Sequence, residues 1–336
     1  MDFRNHSELM RRADQSLSGA AYDPKKLILV YTGTTALVML LVTAANFLLQ
    51  SQIAGTGGLS GLAMRSMLET AIQVLQTGVN LLLPFWTFGY LSCVLRMTRG
   101  QAFDLQGLLE GFRHFGPVLR LTLLRGGYFL MVGLMCIYPS MMIFMWTPFS
   151  QPFQQIIEPF MSQDATEIVL DDATLAAATE ALAPMLVIYG ILFLIFSAPK
   201  FYSFRMADYC LLDHPKEGAL MAIRRSTLML HRNRLGLLKL DLRFWWFYLL
   251  DALTVALCYG DTLLFLTGIT LPLDQNVAYF LFFGLYLIAQ IGLYVWMRNK
   301  VECTYAAAYE CLNRELEEKL QQIMDQQAAT QNPQDV

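Results

Sequence analysis

Charge is what this chain has least of. Only 15% of its 336 residues are Asp, Glu, Lys or Arg, where a soluble domain carries about 25%. Between Arg125 and Lys200 lie seventy-four residues with neither lysine nor arginine. The net charge is −3, so no basic surface for nucleic acid is implied. Cysteine is sparse too. Cys93, Cys136, Cys210, Cys258, Cys303 and Cys311 include no C-x-x-C spacing, which argues against a zinc cluster and a disulfide framework. Small apolar filler in helices is the role that remains. Catalytic signatures are missing as well. The stretch Gly55-Thr56-Gly57-Gly58-Leu59-Ser60-Gly61 lacks the Gly-Lys-Ser/Thr of a phosphate-binding loop, and the spacing around Ser60 does not fit a nucleophile elbow. No His-Glu-x-x-His occurs, and His6, His114, His214 and His231 form no His-x-x-x-His pair. Neither a metal nor a cofactor is expected.

What the chain has in plenty is apolar length. Hydrophobic residues make up 55% of it, and the mean hydropathy is +0.42. Six segments stand out, at about 27–49, 71–95, 121–147, 184–204, 244–264 and 277–297. Each approaches or exceeds the roughly 20 residues that a helix needs to cross the hydrocarbon core. Each must be helical, because an unpaired backbone group in lipid costs several kcal/mol. The first is longer than the roughly 7–15 residues of a signal-peptide core, so it reads as a retained span. The third contains Pro139, which predicts a kink or an early exit. The expected fold is all-α: a polytopic membrane protein with six transmembrane helices.

Basic residues are retained on the cytoplasmic side, and their distribution predicts the orientation. With both termini inside, the cytoplasmic parts are 1–26, 96–120, 205–243 and 298–336, and the outer loops are 50–70, 148–183 and 265–276. Of 24 Lys and Arg, only Arg65 then falls in an outer loop. Arg125 and Lys200 sit near span ends, where they can snorkel. The loop 148–183 is acidic, with Glu158, Asp164, Glu167, Asp171, Asp172 and Glu180. The chain thus divides into a cytoplasmic amphipathic segment (1–26), a membrane domain (27–311) and a tail (312–336) that is helical and then disordered.

Before spans one, three and five come segments with apolar residues at three- and four-residue spacing, the pattern of interfacial helices. They begin near Glu8, Asp104 and Gly218. The ends of the even spans also rhyme, in Tyr90-Leu91-Ser92-Cys93, Tyr209-Cys210-Leu211-Leu212 and Tyr309-Glu310-Cys311-Leu312. This is the pattern of three repeats of one unit: amphipathic helix, span out, span back. Hairpins with an inside N-terminus produce a similar rhyme without any repeat.

Two stretches and the end of the membrane domain carry a resemblance. The first is Ser7-Glu8-Leu9 through Ala13, Leu17 and Gly19. The second holds Ala219, Ser226, Leu228-Met229, Asn233, Leu235 to Leu242, Phe244 and Trp246. The end is Tyr305-Ala306-Ala307-Ala308-Tyr309, then Leu312. Together they resemble a bacterial family of integral membrane proteins known as domain of unknown function 975. The chain departs from the family pattern in lacking a proline just before the final tyrosine motif, and its loop 148–183 is long. The resemblance implies a multi-span protein of the bacterial cytoplasmic (inner) membrane and transfers no activity.

Among single residues Asp251 is the sharpest candidate. It lies eight residues past Arg243, about 12 Å into the membrane. An intramembrane carboxylate is costly and points to function, though a protonated acid that binds helices together is the simpler role. Gln290 and Asn80 are its candidate partners at comparable depth. The cluster Arg224, Arg225, His231, Arg232, Arg234, Lys239 and Arg243 fits contact with anionic lipids at the cytoplasmic face or topology determination alone. A non-enzymatic scaffold or accessory component is the leading expectation, with another membrane protein or a second copy as partner. A small-solute or proton-linked permease using Asp251 comes second. An intramembrane lipid-modifying enzyme, with Asp208 and Asp241 as its only acids, comes last.

Overall fold

The computed structural model describes residues 3, 5–53, 59–151, 172–260, 264 and 275–331. No strand occurs among them. Helix α1 (His6–Ser18) starts where the Asn5 side chain accepts the Glu8 amide at 3.4 Å, and it ends at Gly19. Two long apolar helices follow, α2 (Pro24–Ile53) and α3 (Leu59–Thr98). Helix α3 stops in a glycine turn. Gly100 has φ +68°, a backbone region closed to most residues. The Gln101 amide returns to the Arg96 carbonyl at 2.9 Å and the Gly100 amide to Met97 at 3.1 Å, the doubled bond of a Schellman cap. A 3-10 turn (Leu105–Leu109) and α4 (Glu110–Arg113) lead into α5 (Phe115–Met145). Beyond these lie α6 (Asp172–Phe204), α7 (Ala207–Asp213), α8 (Ala219–Leu230), α9 (Arg234–Arg243) and α10 (Trp245–Cys258). The last rod runs through α11 (Gln275–Leu293), a π-helical turn (Tyr294–Arg298) and α12 (Asn299–Gln331).

Among the described residues five helices are long and apolar enough to cross a membrane: Pro24–Leu48, Ser66–Thr98, Phe115–Met145, Leu182–Asp213 and Val277–Gln327. They match five of the six expected spans. The other, 244–264, appears as α10. At 1.5 Å per residue its 14 residues give about 21 Å, short of the roughly 30 Å core. Residues 261–263 and 265–274 lie outside the described residues. So do 54–58, most of the acidic loop 148–183, and the end of the tail from Asn332. Helix α5 runs on past Pro139 to Met145, so the proline does not end this span.

The chain forms two units. The first joins Met1–Leu119 to Met206–Val336. In it, α1 packs on α12, the 3-10 turn and α4 pack on α3, and α8 packs on the short helix α7. The α3 end also packs against α12 and α7. Tyr90, Tyr209, Tyr305 and Tyr309 are buried in this layer, as are Cys93, Cys210, Cys303 and Cys311. None of the six cysteines forms a disulfide. Backbones touch at two glycines. A methyl group on Gly89 would overlap the Leu108 carbonyl, and one on Gly111 would overlap the Phe85 carbonyl.

The second unit, Arg120–Arg205, is the hairpin of α5 and α6. Arg125 Nη2 donates to the Phe204 carbonyl at 3.2 Å, and Tyr128 meets the Phe204 ring edge-on. Deeper in, the Tyr189 hydroxyl lies against Gly133. Large apolar side chains such as Leu130, Met135, Leu186 and Leu194 are exposed, as lipid-facing helices require.

Candidate functional site

The polar residues of the first unit gather in two places. The first is the layer of helix ends. Arg99, one residue past α3, grips Asp213 with both terminal nitrogens, at 2.7 and 2.8 Å. It also reaches Glu310 of α12 at 2.6 Å. The bond to Asp213, with help from Glu310 and against burial, holds its guanidinium above its ordinary range. The Tyr309 hydroxyl donates to Asp213 at 2.6 Å, and its ring stacks on Tyr209. Glu110, at the start of α4, accepts from Ser92 at 3.0 Å and from Arg96 at 2.6 Å. Asn299 donates to the Pro24 carbonyl at 2.6 Å and accepts from Tyr90 at 2.8 Å. Asp241 accepts from the Tyr305 and Tyr248 hydroxyls. Of the two acids considered for lipid chemistry, Asp241 is therefore engaged by tyrosines, and Asp208 stands in the first turn of α7.

The second place is a pocket of about 250 Å³ within the spans. Helix α2 supplies Tyr31, Thr32, Thr35 and Met39, and α3 supplies Leu83 and Thr87. The opposite wall is Tyr286, Gln290 and Ile291 of α11, with Tyr294 and Arg298 of the π-helical turn. A π-helical turn inserts one extra residue into the helical ladder and is frequently found at functional sites. Arg298 is held from two sides. Glu302 accepts from Nη2 at 2.9 Å, and the guanidinium lies 5.1 Å from the centre of the Tyr294 ring. Gln290 Nε2 donates to the Tyr294 hydroxyl at 3.4 Å. The Tyr31 and Thr87 hydroxyls meet at 3.1 Å. Thr87 donates onward to the Leu83 carbonyl, so the Tyr31 proton points to Thr87.

Asp251 reaches this site from α10. Its carboxyl is near enough to Tyr294 to act on it electrostatically, and Oδ1 is buried with no hydrogen-bond partner among the described residues. Gln290 thus bonds to Tyr294, and Asp251 stands near the same residue. Asn80 is exposed on α3, away from this pocket. Sequence reasoning missed Tyr31, Tyr294, Arg298 and Glu302. A signal existed: Gln290, Tyr294, Arg298 and Glu302 follow one another at four-residue spacing, which puts them on one helix face.

The basic cluster divides. Arg225 turns inward to Glu317 of α12 at 3.0 Å. Arg224, Arg232, Lys239 and Arg243 are exposed, and Arg234 is half-buried. Exposed Leu220, Leu228, Leu235, Leu242 and Trp245 lie among them. Beside this surface stands His6. Burial first, then the charges of Arg243 and Lys239, hold its imidazole below its ordinary range, against a bond to the Gly236 backbone. Among the described residues no group of three or more His, Cys, Asp or Glu could hold a metal ion.

No curated protein and no solved structure matches this chain. Residues 1–315 match the family described as protein of unknown function (DUF975), and the chain belongs to that family.

Proposed function

We propose that this protein is a non-enzymatic, multi-pass component of the bacterial cytoplasmic membrane that scaffolds or assists another membrane system. Both termini are cytoplasmic in this reading. The observation that carries it is the layer of helix ends. The 3-10 turn and α4 pack on α3, α8 packs on the short α7, and α1 closes the series on α12. Arg99 ties α3 to both α7 and α12. A layer cross-linked in this way is a rigid platform, and such a platform suits docking of another membrane protein or a second copy. The same succession favours three hairpin repeats in a six-span protein. The exposed basic residues of α8 and α9, interleaved with leucines, suit an anionic lipid surface, where each contributes about 1 kcal/mol. Cross-linking in native membranes followed by purification tests the proposal. A stoichiometric partner or a cross-linked second copy is expected. A clean monomer that moves a solute across liposomes overturns the reading.

One observation favours a proton-linked permease as the second reading: the Oδ1 of Asp251 is buried with no hydrogen-bond partner among the described residues, near Tyr294 of the polar pocket. Buried carboxylates of this kind serve in proton relays. An Asp251→Asn variant that keeps full function at every pH sinks it.

A further inference from the structure

Two pockets adjoin among the spans, and their chemistry differs. The polar one has a cation, Arg298, at the end nearest α12 and an amide, Gln290, about 12 Å deeper at helical rise. Hydroxyls of Tyr31, Thr87 and Tyr294 line the way between them. The second pocket, also about 250 Å³, shares Thr35 and Leu83 with the first and continues along Val38, Leu82, Trp86 and Phe112. It exposes no polar surface. A polar cavity with a fixed cation beside an apolar cavity matches an amphiphile that has a charged head and an aliphatic chain.

The cation decides the sign of the head. Arg298 is not free to snorkel to water, because Glu302 holds Nη2 at 2.9 Å and Tyr294 lies under the guanidinium plane. Its Nε is buried without a hydrogen-bond partner among the described residues, so the donor set of the guanidinium is incomplete. A planar guanidinium held in this way is suited to a phosphate.

We propose that the paired pockets bind one glycerophospholipid of the adjacent leaflet. Its phosphate sits on Arg298, its glycerol oxygens meet the Tyr31 hydroxyl, an acyl-ester carbonyl reaches Gln290 deeper in, and one acyl chain lies in the apolar pocket. This site rests only on the chain lying in a bilayer and is independent of the docking platform. It is a saturable site, unlike the basic outer face of α8 and α9.

Native mass spectrometry of the detergent-purified full chain tests it, with three probes: dioctanoyl phosphatidylglycerol, dioctanoylglycerol and inorganic phosphate. The phosphatidylglycerol is expected to bind one per chain. The other two probes, each lacking one half of the lipid, should bind at least about tenfold more weakly. Arg298→Gln and Gln290→Leu should each weaken the lipid about tenfold or more, and Lys239→Ala on the outer face should not change it. If Arg298→Gln fails to fold, Gln290→Leu and Thr87→Val decide, since both leave the Arg298–Glu302 pair intact. Four results overturn the proposal: wild-type binding in Gln290→Leu and Thr87→Val; loss confined to Lys239→Ala; dioctanoylglycerol binding as well as the phospholipid; or inorganic phosphate binding as tightly, which would make this a free-phosphate site. Copurification of a protein partner bears on none of these outcomes, so the two proposals fail separately.

Discussion

Arg99 and Asp213, 114 positions apart, meet in a two-pronged ion pair at 2.7 and 2.8 Å. Glu310 takes the adjoining Nε–Nη2 edge of the same guanidinium, so one cation is shared between two carboxylates. Removing it leaves both acids facing each other in a partly buried layer. Arg99→Ala should therefore cost about 2 kcal/mol or more, since breaking a buried pair is expensive while the partial exposure of this one lowers the figure. Arg99→Lys should recover little, because an ammonium cannot reproduce the planar fork. Thermal unfolding in detergent reads both. A wild-type melting temperature for Arg99→Ala would mean that the network contributes nothing.

Gly89 and Gly111 answer one another across the contact of α3 with the 3-10 turn and α4. Each would drive a methyl group into a backbone carbonyl of the other segment, and carbonyls in a helix cannot swing aside as side chains do. Gly89→Ala and Gly111→Ala should each destabilise by about 1–3 kcal/mol, as over-packed cores do. Gly116→Ala and Gly126→Ala are internal controls. Nothing lies within 4 Å of a methyl at either, and alanine favours a helix by about 1 kcal/mol. Protease cleavage near Gln101 should rise in the first pair alone. Equal behaviour of all four variants would refute the close approach.

His6 carries a pH dependence whose sign follows from its environment. Burial, with Arg243 and Lys239 nearby, holds its pKa below the ordinary value of 6.5. The docked segment therefore resists protonation more than the free segment does. Above pH 6.5 both are neutral and docking is at full strength. As pH falls through 6.5 the undocked form gains a proton that the docked form refuses, and the balance moves toward undocking. Hydrogen exchange in α1 should accelerate from pH 7.5 to 5.5 beyond the intrinsic chemistry, and His6→Gln should abolish the excess. An unchanged excess in that variant assigns the effect to another group.

Composition alone carries the spans, because a bilayer demands long apolar helices wherever the chain crosses. Asp251 and Gln290 were legible for a related reason: a polar group in such a run is costly enough to stand out. Their meeting point, Tyr294, was not, since a tyrosine in a span fits equally well at an interfacial belt. Arg298 hid behind its topological role, although the four-residue ladder from Gln290 to Glu302 marked it. Asn80 was at a plausible depth, but depth says nothing of which way a helix is turned. The faces of the interfacial helices could be read from periodicity, and their partners could not. That α1 lies on α12, nearly three hundred residues on, depends on Leu9 and Ala13 finding a buried place there, and no local spacing encodes it. The fifth span shows the opposite limit. The run from 244 to 264 is apolar but for Asp251, Thr254, Asp261 and Thr262, yet α10 ends at Cys258, with Tyr259 and Gly260 directly after it.

Asn299 offers the sharpest test of how the chain ends are joined. It is buried and bridges two distant groups, donating to the Pro24 carbonyl and accepting from the Tyr90 hydroxyl. Tyr90 is itself fully buried, so its hydroxyl has no access to water when the asparagine is removed. Asn299→Leu should cost about 2 kcal/mol, chiefly the penalty of stranding the hydroxyl and the carbonyl. Tyr90→Phe removes one side of one bond and should cost about 1 kcal/mol. In the double variant the stranded hydroxyl is gone, so the two losses should add to less than their sum, with a coupling of about 1 kcal/mol. Asn299→Asp separates the two halves of the bridge. A carboxylate still accepts from Tyr90 but cannot donate to Pro24, so this variant should fall between wild type and Asn299→Leu. Denaturant or thermal unfolding of the four variants gives the cycle directly. Strict additivity of Tyr90→Phe and Asn299→Leu would show that the two side chains do not share a bond in the folded protein.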